Sequence, residues 1–448
     1  MNIAFVTYPT APLLPPYHAS MGATIYAIAR DLARDCNVVV YGLADFQADA
    51  TSGFYDGVEY RFVPSSAADR QIGRMRKLLS LLVPLTTPIS TSAALFPSFG
   101  RKVAADLAKR SWDVIHVQHC TQWVPEIRKL NPNAKIVLHI HTEWFSQSDF
   151  AVIARRIRGL DLLLTVSDYV TQKTRVNFPQ SADRCETLYN GIDFKEFDRQ
   201  KDYETARKQK VKRILYVGGI WPHKGTHIAI EAFKLVAEKY PDVVMDLVGP
   251  QGDYPIEEAC DLKDRATLQR MAPYFRKKRV SLTSLFRRPA KSDEYLNFLK
   301  GKLPPGMGGK VTFHGFVSRP DLVQLYYDAD VFVFPPVWNE AFGVTPLEAM
   351  AAGVPVVVSR AGGIVETVLD QKTGFIVEPD DAEALAQAML RLVEDDALRE
   401  RMGAAARMRA LEFSWEIVNG RMMSRYRALL LANAGKRESR VKSLVGAD

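Results

Sequence analysis

The sequence predicts an α/β protein of two doubly wound domains, and three observations lead there. Short apolar runs alternate with helical patterns almost throughout, the signature of βα units on parallel sheets. Each half opens alike, with an apolar strand, a turn holding Gly or Pro, then an amphipathic helix. The chain of 448 residues is also too long for one core, so length alone asks for two or three domains.

In the first half the strands are IAFVTY, VVVYG, DVIHVQH, KIVLHIH and LLLTVSD, and the first helix runs from Gly22 to Ala33. These make an N-terminal domain over residues 1–195. Residues 196–213 (EFDRQKDYETARKQKVKR) are highly charged and nearly free of large aliphatics, so they read as the hinge. The second domain, 214–413, opens on RILYVGG and a helix from Thr226 to Tyr240, and continues through VVMDLVG, KVTFHGF, VFVFPP, PVVVS and GFIVEP. It carries a basic insertion over 251–310. From Ser414 the apolar residues Trp415, Val418, Met422, Tyr426 and Leu429 fall at helical spacing, and a helix over 414–432 is expected to pack back on the first domain. The basic, small and polar tail 433–448 reads as disordered.

Apolar content of 47% and charged content of 25% exclude wholesale disorder and fibrous classes. The net charge of +8 is uneven: Asp261–Lys310 holds thirteen Lys/Arg against four Asp/Glu, leaving the remainder near neutral. Such a patch suits phosphates or anionic lipid, or is a solvated surface insertion. Cys36, Cys120, Cys185 and Cys260 are scattered without a C-x-x-C pair, and a strand-like run follows Met1 in place of a secretory signal. A reducing cytosol is the expectation, with neither zinc site nor disulfide framework. The uncharged stretch Leu78–Gly100 is broken by Pro84, Pro88 and Pro97 and makes a poor transmembrane helix.

Chemistry concentrates in NEAFGVTPLEAMAAGVPVVVS, where Glu340 and Glu348 stand eight positions apart around Gly343 and Pro346. The strand VFVFPP precedes them, so they fall at a strand's carboxyl end, where open parallel sheets collect ligands. Thr345 at the N-cap, Pro346 at the first position and Glu348 at the third fit a capping box, which is a structural use for Glu348. It does not explain Glu340, nor the helix N-terminus aimed at the same rim, where unpaired N–H groups attract anions. The loop GGIWPHKG, Gly218 to Gly225, adds glycines for close backbone approach and the point charge of Lys224. A diphosphate held from two sides is what the combination suggests.

Together GGIWPHKG, HGFVSRPDLVQLYYDADVFVFPP, NEAFGVTPLEAMAAGVPVVVS, GGIVETVLDQKTGFIVEP and LYNGIDFKEF resemble, in order, the retaining glycosyltransferases of family 4, with looser agreement at SMGATIYAIARDLA, HIHTEW and TVSDYV. The resemblance implies the GT-B architecture, two Rossmann-like doubly wound domains facing across a cleft. It also implies a nucleotide-sugar donor on the second domain and an acceptor on the first. Glu340 would then face the donor hexose. Ala341, Phe342, Gly343, Val344 and Thr345 would offer backbone N–H groups to sugar hydroxyls and phosphate, and Glu348 would accept from the ribose diol. Lys224, beside Gly218 and Gly219, would neutralise the leaving diphosphate. The family usually has an arginine where this chain has Gly219. His141 stands where the family has a histidine near the donor sugar, and His139 shares its face of the strand. Gly22 would let the first-domain loop approach the phosphates, with Met21 where the family more often has a second glycine. Asp328 and Asp330 form D-x-D, a metal motif in another glycosyltransferase class, but the resemblance assigns diphosphate stabilisation to lysine and helix dipole, so no metal or cofactor is expected.

The implied reaction moves a hexosyl unit from a UDP- or GDP-sugar to an acceptor hydroxyl with retention, by same-face attack or through a covalent intermediate. A saccharide or lipid-linked acceptor and cell-surface polysaccharide or glycolipid synthesis go with it. Arg70, Arg74, Arg76 and Lys77 precede the uncharged stretch, which with the basic insertion suggests a cytoplasmic enzyme peripheral on anionic membrane. A sugar-nucleotide epimerase of the same architecture and a non-catalytic binding protein derived from it are the alternatives. Nucleic acid is not an expected partner, since no recognition module accompanies the basic clusters.

Overall fold

Strands rich in Val, Ile and Leu, four to seven residues long and buried on both faces, need helices on both sides, and that requirement sets the layering of both halves. In this computed structural model the chain is described except for residues 10–11, 16–19, 48–50, 73–91, 93–94, 144, 146–148, 253–264, 275–292 and 446–448. It divides into a first unit, Met1–Gly191 with Trp415–Asp448, and a second, Ile192–Ser414.

The first unit holds β1 (Asn2–Val6), β2 (Asn37–Leu43), β3 (Gly53–Tyr55), β4 (Val58–Val63), β5 (Val114–Gln118), β6 (Lys135–Ile140), β7 (Leu162–Thr165) and β8 (Cys185–Thr187). They form one sheet in the order β3-β4-β2-β1-β5-β6-β7-β8, parallel except for β3. The chain leaves β1 toward β2 and later returns to β5 on the other side, so β1 and β5 flank the topological switch point. Alternation divides the core. Ala4, Val6, Ile115, Val117, Ile136 and Leu138 face one layer, while Ile3, Phe5, Val114 and Val137 face helix α1 (Ser20–Leu32) and the C-terminal helix.

The second unit holds β9 (Lys212–Val217), β10 (Val243–Val248), β11 (Val311–Gly315), β12 (Val331–Phe334), β13 (Val356–Ser359) and β14 (Gly374–Val377), all parallel, in the order β11-β10-β9-β12-β13-β14. Its switch point lies between β9 and β12. Helix α2 (Thr226–Lys239) follows β9, α3 (Arg319–Asp328) precedes β12, and α4 (Val344–Ala351) follows it. The C-terminal helix, α5 (Trp415–Val445), returns to the first unit, where Trp415, Val418, Met422 and Tyr426 join the α1 layer.

Residues 196–213 fall within the second unit, and their polar groups find partners there. Lys201 Nζ donates to the carbonyls of Tyr327 and Ala329 (2.5 and 2.7 Å), Tyr203 OH donates to Gly353 O (2.6 Å), and a short helix, Tyr203–Lys208, is capped by Asp202. Two expectations need correction. The 433–448 tail is not disordered throughout, since α5 continues to Val445. Finally, α4 starts two residues earlier than a Thr345 cap allows. Gly343, at φ +88°, is the N-cap, so Glu348 lies in the body of the helix and caps nothing.

Candidate functional site

Two loops meet at the carboxyl ends of β9 and β12. The first, Gly218–Gly225, carries Lys224, and the second, which follows β12, carries Glu340. They are tied by Val337 N donating to His223 O at 3.1 Å. Glu340 is pinned from the other side: its N–H donates to Ala361 O (3.3 Å) and its carbonyl accepts from Gly363 N (2.7 Å). The result is an ion pair, Lys224 Nζ to Glu340 Oε2 at 2.5 Å, with side chains 17% and 15% exposed. The ammonium also lies over the rings of Trp338 (5.2 Å) and Phe334 (5.7 Å), a cation–π setting.

Directly after Glu340 come Ala341, Phe342 and Gly343, then Val344 and Thr345 in the first turn of α4. No side chain caps that turn, so its N–H groups are available to an anion. The left-handed φ of Gly343 is the backbone conformation that lets the loop break into the helix there, and a β-carbon would meet the Ile364 side chain at 3.0 Å. Glu348 follows one turn in and is 8% exposed. Its Oε2 accepts from Tyr326 OH (2.8 Å) and its Oε1 pairs with Arg319 Nη1 (2.7 Å), while Arg319 Nη2 also reaches Glu196 (2.5 Å). Burial opposes the charge on Arg319, but the two glutamates outweigh it and raise its pKa above the usual value. Burial, and then Glu348, likewise hold Tyr326 as the neutral phenol, a donor to that carboxylate. Arg319 and Tyr326 were not singled out in the sequence; their helical spacing from Ser318 gave no sign that both turn toward α4.

At Gly219, where the resemblance expects an arginine, a β-carbon would lie 2.2 Å from the Trp221 ring. The indole fills that space and stacks on His223 (5.7 Å, 17°), whose ring meets Trp338 edge-on (5.0 Å). An aromatic wall thus stands beside Lys224. Asp330 is buried with Oδ2 accepting from Arg213 N (2.8 Å) and Oδ1 facing Arg399 (3.4 Å), and Asp328 accepts from Gln324 (2.6 Å). Among the described residues no three His, Cys, Asp or Glu side chains are grouped to hold a metal ion.

His141 belongs to the first unit, just past β6. Its Nε2 lies 2.6 Å from Gln118 Oε1 and its Nδ1 3.0 Å from Asn190 Oδ1. Burial pushes its pKa down to about 4, against a smaller upward pull from Asn190, so the ring is neutral and owns one N–H. Gln118 Nε2 has no partner, and a side-chain amide can present either its oxygen or its NH₂ to the imidazole. Turning Gln118 lets it donate to Nε2 while Nδ1–H donates to Asn190. Both ring nitrogens are then engaged within the first unit. His139 packs on His141 (4.0 Å) and His116 on His139 (5.4 Å), deep in the α1 and α5 layer. His116 Nδ1 bonds the hydroxyl of Tyr426. Gly22, in the first turn of α1, is explained by packing, since a β-carbon would meet Pro12 O at 2.1 Å.

Of the basic residues before the uncharged stretch, Arg70 donates to Ser65 O (3.2 Å), and Arg74, Arg76 and Lys77 lie outside the described residues. Much of the 251–310 insertion lies outside them too. Among the described residues no helix is long and apolar enough to cross a membrane.

Residues 21–196 match the family described as Glycosyltransferase Family 4, and residues 302–409 match Glycosyl transferases group 1. The chain is 28% identical over 342 residues to spore coat protein SA of Bacillus subtilis, covering 72% of this chain and 80% of that protein. It is also 28% identical over 252 residues to the capsular polysaccharide biosynthesis glycosyltransferase CapM of Staphylococcus aureus, covering 55% of each. Among solved structures it resembles Anabaena HepE in complex with UDP and glucose, with a TM-score of 0.62, 18% identity, and 96% of this chain and all of that one covered. That likeness shows the two-domain GT-B fold.

Proposed function

This chain is a glycosyltransferase of GT-B architecture that belongs to the family 4 and group 1 enzymes, and from that premise we propose that it transfers a hexosyl residue from a UDP- or GDP-sugar to an acceptor hydroxyl with retention. The observation that carries the reading is the Lys224–Glu340 pair set beside the uncapped first turn of α4, at the switch point of one sheet. A diphosphate needs a cation and converging N–H donors, and both are here. UDP in HepE and capsule synthesis by CapM support a uridine donor and a cell-surface polysaccharide or glycolipid product.

An ammonium has three N–H donors, so Lys224 keeps Glu340 while offering the rest to the diphosphate. As the bond from the anomeric carbon to the phosphate oxygen breaks, its electron pair moves to the diphosphate, and Lys224 with the N–H groups of Gly343, Val344 and Thr345 stabilises that charge. The acceptor oxygen bonds the same face of the anomeric carbon and its proton passes to the departing phosphate, which keeps the configuration without an enzyme nucleophile. Glu340 accepts from a hexose hydroxyl, and Glu348, held by Tyr326 and Arg319, accepts from the ribose diol. No divalent metal is required, because lysine and helix terminus do that work; EDTA should leave turnover unchanged, and loss of activity restored by Mg²⁺ would refute this point.

The acceptor is a saccharide or a lipid-linked one, and the basic segments favour an anionic membrane surface. Co-sedimentation with anionic vesicles at low salt checks this, and equal binding to neutral vesicles would contradict it. For the donor, a thermal-shift panel of UDP-, GDP- and ADP-sugars is the direct test, since a ligand of the native state raises Tm. A shift with UDP- or GDP-sugars is expected, and none with any of them would end the proposal.

A further inference from the structure

The insertion between β10 and β11 is joined to the helix that follows the Lys224 loop. Its described parts include two helices, Arg265–Met271 and Glu294–Gly301, in which Met271 and Leu299 are fully buried. Tyr274 lies on the His227 ring (4.2 Å, 34°), and Tyr295 meets the same ring edge-on (6.2 Å, 79°). One turn further along α2, Glu231 pairs with Lys302 (2.6 Å). This part of the insertion is docked on the start of α2, not solvated.

α2 begins without a side-chain cap. Gly225, at φ +71°, is the N-cap, so the first N–H groups need partners from elsewhere. A β-carbon at Gly225 would stand 1.7 Å from Pro335 O, so this start is packed against the end of β12. Tyr295 supplies a partner from 68 residues away: its hydroxyl accepts from His227 N (3.3 Å) and donates to His227 Nδ1 (2.9 Å). Burial, and then Lys302, lower the His227 pKa to about 4 against the pull of Glu231, so the ring is neutral and Nδ1 accepts. Burial, with Tyr216 adding, keeps Tyr295 as the phenol that donates. Beside His227, Thr226 Oγ1 donates to Tyr216 OH (3.3 Å), and that hydroxyl lies 3.1 Å from Gly219 O and 3.4 Å from Lys224 O. The contacts made by Tyr295 therefore continue to both ends of the Lys224 loop.

We propose that Tyr295 is a positioning residue for the diphosphate site, fixing the start of α2 and with it Lys224, so that the insertion serves the donor site of its own unit. The inference rests on the reading of Lys224 as the cation of the diphosphate. Preorganised charge acts only when it is held to about 0.5 Å by the groups behind it. Tyr295 touches no substrate; its effect passes through His227, Thr226 and Tyr216.

Isothermal titration calorimetry on the full chain with UDP and GDP, well below Tm, tests it. For the tighter of the two, Tyr295→Phe, which keeps the ring and drops the hydroxyl, should weaken binding about three- to tenfold, the factor that one neutral hydrogen bond carries. In a Lys224→Met background the same change should cost less than about twofold, since the group it positions is gone. His227→Leu should weaken binding as Tyr295→Phe does, and His227→Asn, which keeps an acceptor near the place of Nδ1, should recover most of it. A merely structural Tyr295 would lower Tm and leave nucleotide affinity at the wild-type value. That value in Tyr295→Phe, an undiminished loss in the Lys224→Met background, or no recovery in His227→Asn would overturn the assignment. Those results with Lys224→Met still weakened remove this inference alone, whereas wild-type binding in Lys224→Met, or no binding of either nucleotide, removes the donor-site reading beneath it.

Discussion

Lys224 and Glu340 hold each other within one unit before any substrate arrives, so neither has to be ordered when the diphosphate binds. That preorganisation predicts the size of the loss on mutation. Lys224→Met or Glu340→Gln should lower kcat by roughly 10²–10³-fold, as removing one preorganised stabilising group does, with circular dichroism unchanged; UDP-release rates check it, and wild-type rates would deny both residues their role. Glu348 differs because it also supports Tyr326 and Arg319. Glu348→Gln should raise the KM for the donor and also lower stability by about 1–3 kcal/mol, since a buried partner loses its charge complement; a Tm equal to wild type would contradict the contacts. The histidines give a pH signature. Burial holds the folded-state pKa of His141 at about 4 and that of His116 at about 3, with His141 adding to the latter effect. Both lie below the unfolded value of about 6.5, so the unfolded chain binds protons first. Their stabilising contribution is complete above pH ~6.5 and declines as pH falls from there toward 4 and 3. Thermal melts between pH 7.5 and 4 should show this decline, and a His116→Asn variant should show a shallower one.

At the scale of elements, the strands following the main apolar runs were legible because parallel strands buried on both faces read as continuous hydrophobic sequence, as in VVVYG and VFVFPP. The edge-side strands β3 and β4, and β8 at the other edge, were not. VEYRFV alternates polar and apolar near a sheet edge, and CET and GFY are too short to carry a period. The start of α4 was misread because Thr345 and Pro346 supply strong start signals, while the backbone turn belongs to Gly343. Lys224 and Glu340 could be found from their places after strands, but their contact could not, since 116 residues separate them. Asn190 and Gln118 were hidden for the same reason. The helical spacing from Trp415 is the face α5 buries against α1, and this predicts a local cost. Trp415→Ala should destabilise by about 3–5 kcal/mol, the range for emptying a large aromatic site, as measured by denaturant midpoint; a change under about 1 kcal/mol, the scale of a surface substitution, would mean the helix contributes little to the first unit.

For the whole molecule, each unit repeats one physical plan: a parallel sheet whose carboxyl ends expose polar groups at the point where strand order reverses. The second unit places the Lys224–Glu340 ion pair there. At this scale the charged run 196–213 reads as a hinge, and in the structure Lys201 and Tyr203 satisfy carbonyls of the second unit. The most direct test of the central claim is an electron-density map of the protein crystallised with UDP. The account predicts the diphosphate within hydrogen-bonding distance of Lys224 Nζ and of the N–H groups at Gly343 to Thr345, with the ribose at Glu348. Diphosphate density away from Lys224, or nucleotide bound elsewhere on the chain, would contradict it.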